Sequence, residues 1–281
     1  MLRRTPPRAR KRLASLLPGA TLKWYRGRRA DAVLISFPKC GRTWLRLLVG
    51  RAIQRRFGLP ESAALVELHH LAELGPDIPC VYATHDDDAQ WKAPEEVEVD
   101  KSAYRGQRVI LLVRDPRDVI VSLFHQMRDR RRAFEGSLAD FVRQPAGGFE
   151  SLLCFYDAWA AALDDLDGVL VVRYEDLHAD TAGQLRRVLA HIGLDDVDDE
   201  IVDDAVRYGS FDHMRELEEG DLLGSEKLRP GRPGDTDSYK TRRGEVGGYR
   251  LELAPDDLAL LEAAMRGSRV GRFGYEPAAA G

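Results

Sequence analysis

Val33-Leu34-Ile35-Ser36-Phe37 is a compact apolar run that stops at Pro38 and Gly41. A run without a polar face reads as a strand buried on both sides and entering a turn. From Thr43 to about Arg56 the pattern turns helical. Leu45, Leu48, Val49, Ala52 and Ile53 fall on one stripe and arginines on the other, as in an amphipathic helix. Val109-Ile110-Leu111-Leu112-Val113 repeats this grammar as a second strand, and Asp115-Pro116 after it is a helix start. Asp118 follows where a carboxylate favours the positive end of the helix dipole. A third run, Val169 to Val172, leads into Arg173-Tyr174-Glu175-Asp176-Leu177. Further helical stretches lie around Phe155 to Leu163, Ala182 to Ile192 and, more acidic, Asp198 to Tyr208. Doubly buried strands separated by helices predict a three-layer α/β/α domain around a central, mostly parallel sheet. Such sheets bind ligands at the carboxyl ends of their strands, and here every unusual cluster follows a strand.

Composition adds boundaries to this picture. The chain of 281 residues carries a net charge of −4, unevenly spread. Residues 1–30 hold ten Lys or Arg and no acid, against 32 basic and 46 acidic residues in the remainder. The reading is a basic, flexible arm over 1–30, one domain over 31–276, and a disordered tail over 277–281. Weak contact of the arm with an anionic membrane is the sharper alternative to simple solvation. Arg3, Arg4, Arg8 and their neighbours are not followed by the continuous apolar core of a secretory signal. No apolar run approaches the roughly 20 residues of a membrane span. Cys40, Cys80 and Cys154 are far apart and belong to no C-x-x-C pair, so neither a disulfide framework nor a metal site is expected. Reduced thiols in a cytoplasm are the simplest account. From Gly220 to Gly248, Gly, Pro and charge predominate, which predicts a mobile loop of the kind that covers sites.

Two clusters carry chemistry. Ser36-Phe37-Pro38-Lys39-Cys40-Gly41-Arg42-Thr43-Trp44 joins a strand to a helix through a Gly-containing turn. Backbone amides, the helix dipole and the cations there form a P-loop-like anion cradle, although Lys39 precedes Gly41 and no Walker sequence is present. Arg114-Asp115-Pro116-Arg117-Asp118, with Ser122 two turns into the next helix, offers an Arg and a hydroxyl to one anion above the sheet. Read in isolation, these are also what solvated turn residues and a helix cap look like.

Together the clusters resemble the sulfotransferases that use 3′-phosphoadenosine 5′-phosphosulfate (PAPS). Pro38-Lys39-Cys40-Gly41-Arg42-Thr43-Trp44 matches the family's P-K-x-G-x-T-W loop, and Arg114 with Ser122 matches its 3′-phosphate pair. Tyr174-Glu175-Asp176, Ser210-Phe211-Asp212-His213-Met214 and Arg242-Arg243-Gly244 match three further segments in order, over about Ala32 to Tyr275. The resemblance implies transfer of a sulfuryl group to a hydroxyl or amine, with PAPS as co-substrate and no metal. It implies catalytic roles for Lys39, His85 and Ser122: Lys39 at the leaving oxygen, and His85, in Thr84-His85, as the base. It further implies Arg42, Thr43 and the amides of Cys40 and Gly41 at the 5′-phosphate, and Trp44 and Phe211 around the adenine. Tyr174 would meet the adenine edge, with Ser210 and Met214 alongside. Arg114, Ser122, Arg242, Arg243 and Gly244 would meet the 3′-phosphate. A small-molecule, glycan or lipid acceptor is expected, and no nucleic acid.

Some positions depart from the family pattern. Arg42 stands where many members have Thr, and Ala83 where they carry a Lys before Thr-His. Asp86, Asp87 and Asp88 replace an apolar pair, which favours a polar or cationic acceptor. Gly247-Gly248-Tyr249-Arg250 replaces Gly-Asp-Trp-Lys, and no animal-type dimerisation segment follows. Acceptor choice is expected to lie in Glu61–Ala93, His125–Glu150 and Leu217–Gly234. Two other classes compete: a P-loop-like kinase or nucleotidase, and a non-catalytic nucleotide or polyanion binder.

Overall fold

A computed structural model describes residues 29–232 and 234–277. The basic arm, but for its last residues, and most of the tail therefore lie outside the described residues. Four strands, β1 (Ala32–Ile35), β2 (Val81–Thr84), β3 (Val109–Val113) and β4 (Val169–Arg173), form one all-parallel sheet in the order β2-β1-β3-β4. Every residue of β1 and β3 is buried, as their unbroken apolar runs require. The chain leaves β1 toward β2 on one side and returns to β3 on the other. That order makes the carboxyl ends of β1 and β3 the switch point at which parallel sheets open a crevice.

Helices flank the sheet. In chain order they include α1 (Arg42–Arg56), the short α2 (Leu68–Leu71), α3 (Pro116–His125), α4 (Leu138–Arg143) and α5 (Phe149–Ala162). There follow α6 (Tyr174–Ala179), α7 (Thr181–His191), α8 (Asp199–Tyr208), α9 (Phe211–Glu219) and α10 (Pro255–Arg266). α1, α7 and α8 pack together, and α3, α5 and α10 form a second group. Asp115 caps α3, accepting from the Arg117 N–H at 2.9 Å, with Pro116 at the first helical position. Among the described residues, no helix is long and apolar enough to cross a membrane.

The expected polar face of α1 is not found. Its residues from Leu45 to Gln54 are buried, arginines included, because α8 and the segment around α2 cover the side that periodicity assigned to water. Arg46 donates to Glu67 at 2.8 Å, and Arg51 donates to Asp204 at 2.6 Å while its guanidinium lies over the Tyr208 ring. A buried charge survives only when paired in this way.

One buried tyrosine ties α5 to the switch point. The Tyr156 hydroxyl donates to the Arg114 carbonyl at 2.7 Å and accepts from the Arg114 amide at 3.0 Å. Its proton is thus committed, so the Cys40 thiol, 3.5 Å away, is the donor in that contact. Tyr156→Phe leaves the amide and carbonyl of Arg114 without this partner. The expected loss is about 1–3 kcal/mol of unfolding free energy, read from urea denaturation. An unchanged midpoint and slope would show that the hydroxyl does not hold the β3 terminus.

Candidate functional site

β1 ends at Ile35 rather than Phe37, and the Ser36 carbonyl just beyond it takes the His85 side chain. The loop beyond runs through Lys39 at φ +73° and Gly41 at φ +91° into α1. Both residues occupy the left-handed region, and at Gly41 a side chain is excluded twice. A β-carbon there would stand 2.7 Å from the Tyr174 ring, so the loop closes against the edge of that ring. No acid occupies the first turn of α1, so its free amides and Arg42 and Thr43 present only positive potential.

Cations converge on this loop. Burial lowers the Lys39 pKa to about 7, helped by the nearby charges of Arg130, Arg114 and Arg242 and opposed by Glu218. Burial likewise pulls Arg42 down to about 9, with Arg46 adding repulsion. The Arg42 guanidinium still carries its charge at neutral pH. Arg42 Nη1 and Arg114 Nε are buried donors with no hydrogen-bond partner among the described residues. Arg114 crosses the switch point, donating to the Lys39 carbonyl at 3.3 Å and the Glu245 carbonyl at 2.8 Å, and lies over the Tyr174 ring at 4.3 Å.

His85 follows β2 directly and reaches the same loop. Its Nδ1 lies 2.8 Å from the Ser36 carbonyl and its Nε2 lies 2.6 Å from Arg42 Nη2. A carbonyl only accepts and a guanidinium only donates, so Nδ1 carries the proton and Nε2 holds the lone pair. Burial drives the His85 pKa well below the usual histidine value, and the Arg42 charge adds to this. The imidazole is therefore neutral at pH 7.

Most of the remaining sequence candidates fall into two sets. Trp44, Tyr174, Gly244 and Phe211 form a continuous wall. Trp44 meets Tyr174 edge-on at 5.8 Å, the Tyr174 hydroxyl donates to the Gly244 carbonyl at 3.2 Å, and the edge of the Phe211 ring closes against Gly244. Phe211 is 43% exposed, and Trp44 is fixed by its indole N–H on the Gly209 carbonyl at 2.8 Å. Ser122 lines a narrow polar cleft with Lys39, His125, Arg130 and Arg242. Arg242 and Arg243 both turn to Glu252, which His125 also contacts; His125 and Arg242 hold the Glu252 pKa down at about 2 against its burial.

Three candidates show packing roles. Cys40 is wholly buried, its thiol pushed up to about 12 by desolvation, so its backbone alone faces the cradle. Met214 lies in a small apolar core with Leu47, Leu65, Leu217 and Leu228. The Ser210 hydroxyl caps α9 by accepting from the His213 N–H at 3.3 Å. The acidic run at 86–88 is largely consumed inside the fold. Asp86 takes Lys101 and Tyr104, and Asp87 takes Lys92 and the Glu98 amide, so it does not form a free acidic rim.

Sequence reasoning missed Arg130, Glu218, Lys240 and Glu252. Arg130 stands at the end of a π-helical turn, Gln126–Arg130, that continues α3 and aims it at Lys39. In the sequence it stands only as one of four close arginines, with Arg128, Arg131 and Arg132. Among the described residues, no group of three or more His, Cys, Asp or Glu side chains could hold a metal ion.

The sequence profile of the "Sulfotransferase domain" family matches residues 29–274. Among curated relatives, Cytosolic sulfotransferase 13 of Arabidopsis thaliana is 26% identical over 256 residues, covering 83% of this chain and 75% of its own. Sulfotransferase 6B1 of Pan troglodytes is 27% identical over 249 residues, covering 82% and 77%. Among solved structures, mouse sulfotransferase SULT7A1 complexed with PAP superposes with a TM-score of 0.57 at 24% identity, covering 87% of each chain. Retinol dehydratase in complex with androsterone and PAP gives 0.55 at 17% identity, covering 84% and 79%. With the family profile running from before β1 to beyond α10, this chain belongs to the sulfotransferase domain family.

Proposed function

We propose that the chain transfers the sulfuryl group of PAPS in line to a hydroxyl or amine, using His85 as base and Lys39 at the leaving oxygen. The observation that carries this reading is the 2.6 Å contact from Arg42 to His85 Nε2, which sets a neutral imidazole beside an anion cradle. The solved relatives bound to PAP support the choice of donor. Androsterone in one of them makes a small hydroxylated molecule a reasonable acceptor class.

Each residue then has a defined task. Arg42, Thr43 and the amides at the start of α1 hold the 5′-phosphosulfate, and Lys39 neutralises the bridging oxygen as the S–O bond breaks. His85 Nε2 accepts the acceptor's proton as the new bond to sulfur forms, leaving adenosine 3′,5′-bisphosphate (PAP) as product. Trp44 and Phe211 flank the adenine, and Tyr174 meets its edge. Arg114, Ser122, Arg242 and Arg243 take the 3′-phosphate, which ATP lacks, once Arg242 and Arg243 exchange Glu252 for it. Lys39 and the guanidinium groups can compensate the charge of the leaving oxygen directly.

Before the donor binds, the lone pair of His85 is occupied by Arg42. Anion binding draws Arg42 toward phosphate, releases Nε2 and offsets the cations that depress the imidazole. Base strength is thereby coupled to donor occupancy.

Two measurements follow from these roles. In a screen of hydroxyl and amine acceptors with labelled donor, His85→Ala should lose about 10²–10⁴-fold in transfer while PAP affinity stays within a factor of a few. Equal losses in transfer and PAP binding would make His85 a structural or nucleotide-binding residue. Lys39→Ala, in a loop, should abolish transfer and keep the fold; normal turnover would remove its assigned role.

The lowered Lys39 pKa gives a signed pH dependence. Unliganded Lys39 is largely neutral above pH 7, whereas a bound phosphate requires its proton. PAP binding at pH 8 should therefore take up a proton, and affinity should weaken by up to about tenfold per pH unit above 7. Calorimetry in buffers of different ionisation enthalpy reads the uptake. Proton release, or a flat affinity from pH 7 to 9, would contradict the placement of Lys39 at the anion.

A further inference from the structure

Lys240 lies nearly 200 positions from the anion loop in sequence, yet its ammonium donates to Thr43 Oγ1, in the first turn of α1, at 3.4 Å. Its surroundings are unusual for a lysine. Burial is what most opposes its charge, and the cations of Lys39, Arg130, Arg42 and Lys227 add repulsion. Placing a partly buried ammonium among like charges destabilises the unliganded protein. Such an arrangement is sensible if an anion fills the space between them.

The chain invests in holding Lys240 there. Glu218, at the end of α9, is wholly buried and accepts from the Lys240 amide at 2.7 Å. It also accepts from the Thr241 amide at 2.9 Å and the Thr241 hydroxyl at 2.7 Å. Arg130 pairs at 3.2 Å with the Glu218 oxygen that takes the Lys240 amide. One turn earlier, Arg215 donates to the Thr241 carbonyl and covers the Tyr239 ring at 4.5 Å. The loop around Lys240 is thus clamped on both sides to α9, and its one long cationic side chain is fed toward the start of α1. Ala83, at the end of β2 beside His85, brings no charge to that region.

We propose that Lys240 is a donor-binding residue for the 5′-phosphosulfate, delivered beside Thr43 from the distant loop by Glu218. This assignment rests on the PAPS reading above and adds a ligand-contacting residue that no sequence motif supplied. Lys240 adds a second lysine charge to the phosphosulfate from beside Thr43, and the incoming negative charge relieves the repulsion among the lysines.

The test compares the full-length wild type with Lys240→Met and Lys240→Arg by calorimetry, using PAP and adenosine 3′-monophosphate. PAP carries a phosphate at each end, and the monophosphate lacks the 5′ group. Lys240→Met should weaken PAP by about ten- to hundred-fold, the range of a charge-assisted hydrogen bond. Affinity for adenosine 3′-monophosphate should change by no more than about twofold, and Lys240→Arg should recover most of the loss. Without ligand, Lys240→Met should melt at the same temperature as wild type or higher, because a repelled buried charge is removed. Unchanged PAP affinity in a folded Lys240→Met variant overturns the assignment, as does equal weakening of both ligands with a lowered melting temperature. A folded wild type that binds no PAP overturns the donor reading itself and Lys240 with it. Wild-type binding with an indifferent Lys240 overturns only the latter.

Discussion

Like charge crowded into one desolvated space at the carboxyl end of β1 governs how this molecule is built. Lys39, Arg42, Arg114, Arg130 and Lys240 approach the same loop, and the carboxylate of Glu218 lies among them. Burial and mutual repulsion hold Lys39 and Lys240 far below the ordinary lysine value, which is a cost carried by the folded state. A dianion entering the space attracts all of these cations at once and so offsets their mutual repulsion. Affinity for a phosphosulfate and instability of the unliganded site then have the same origin, a trade often made where function requires a strained environment.

The scaffold shows what is needed to hold such a cluster. Tyr156 fixes the end of β3 through both backbone groups of Arg114. Glu175, at the start of α6, accepts from the Asp115 amide at 2.9 Å and the Tyr275 hydroxyl at 2.7 Å, joining β4, α3 and the end of the described chain. Asp118, which the sequence marks as a favourable helix-dipole charge, does more in the fold. It accepts from the amides of Gly247 and Tyr249 at 2.7 and 3.0 Å and so fastens the loop that carries Arg242 to Gly244. Asp118 and Glu175 thus commit their charge to backbone amides and a hydroxyl of the scaffold, which fixes the loops without neutralising the anion space.

The sequence made the frame legible because its signals are local. Doubly buried strands announce themselves as unbroken apolar runs, and Gly41 is readable from its turn. The anion loop, Arg114 and Ser122 follow from strand ends and motif order. Long-range pairing was not legible. Nothing in the stretch around Lys240 indicates that Glu218 will draw it to Thr43, since the partners are joined only by the fold. The buried arginines of α1 were misread for the same reason: periodicity reports an arginine face, and only the packing of α8 shows that the face is covered. Likewise, the aspartates at 86–88 read as a rim until Lys101, Tyr104 and Lys92 are seen to use them. α10 went unread although its sequence is legible: Pro255-Asp256-Asp257 is an ordinary helix start, and Leu258, Leu261 and Met265 recur at helical spacing.

A 3′-phosphate distinguishes PAP from the common adenine nucleotides, and Arg114, Arg242 and Arg243 are the residues assigned to it. Thermal unfolding of the full chain with PAP, ATP and adenosine 5′-monophosphate at equal concentration addresses that distinction most directly. A ligand present at a hundred times its Kd stabilises the folded state by about 2.7 kcal/mol, so even modest affinity registers. PAP should raise the melting temperature well above either of the other nucleotides. A larger shift with ATP, or none with any nucleotide, would contradict a site built for a 3′-phosphorylated sulfuryl donor.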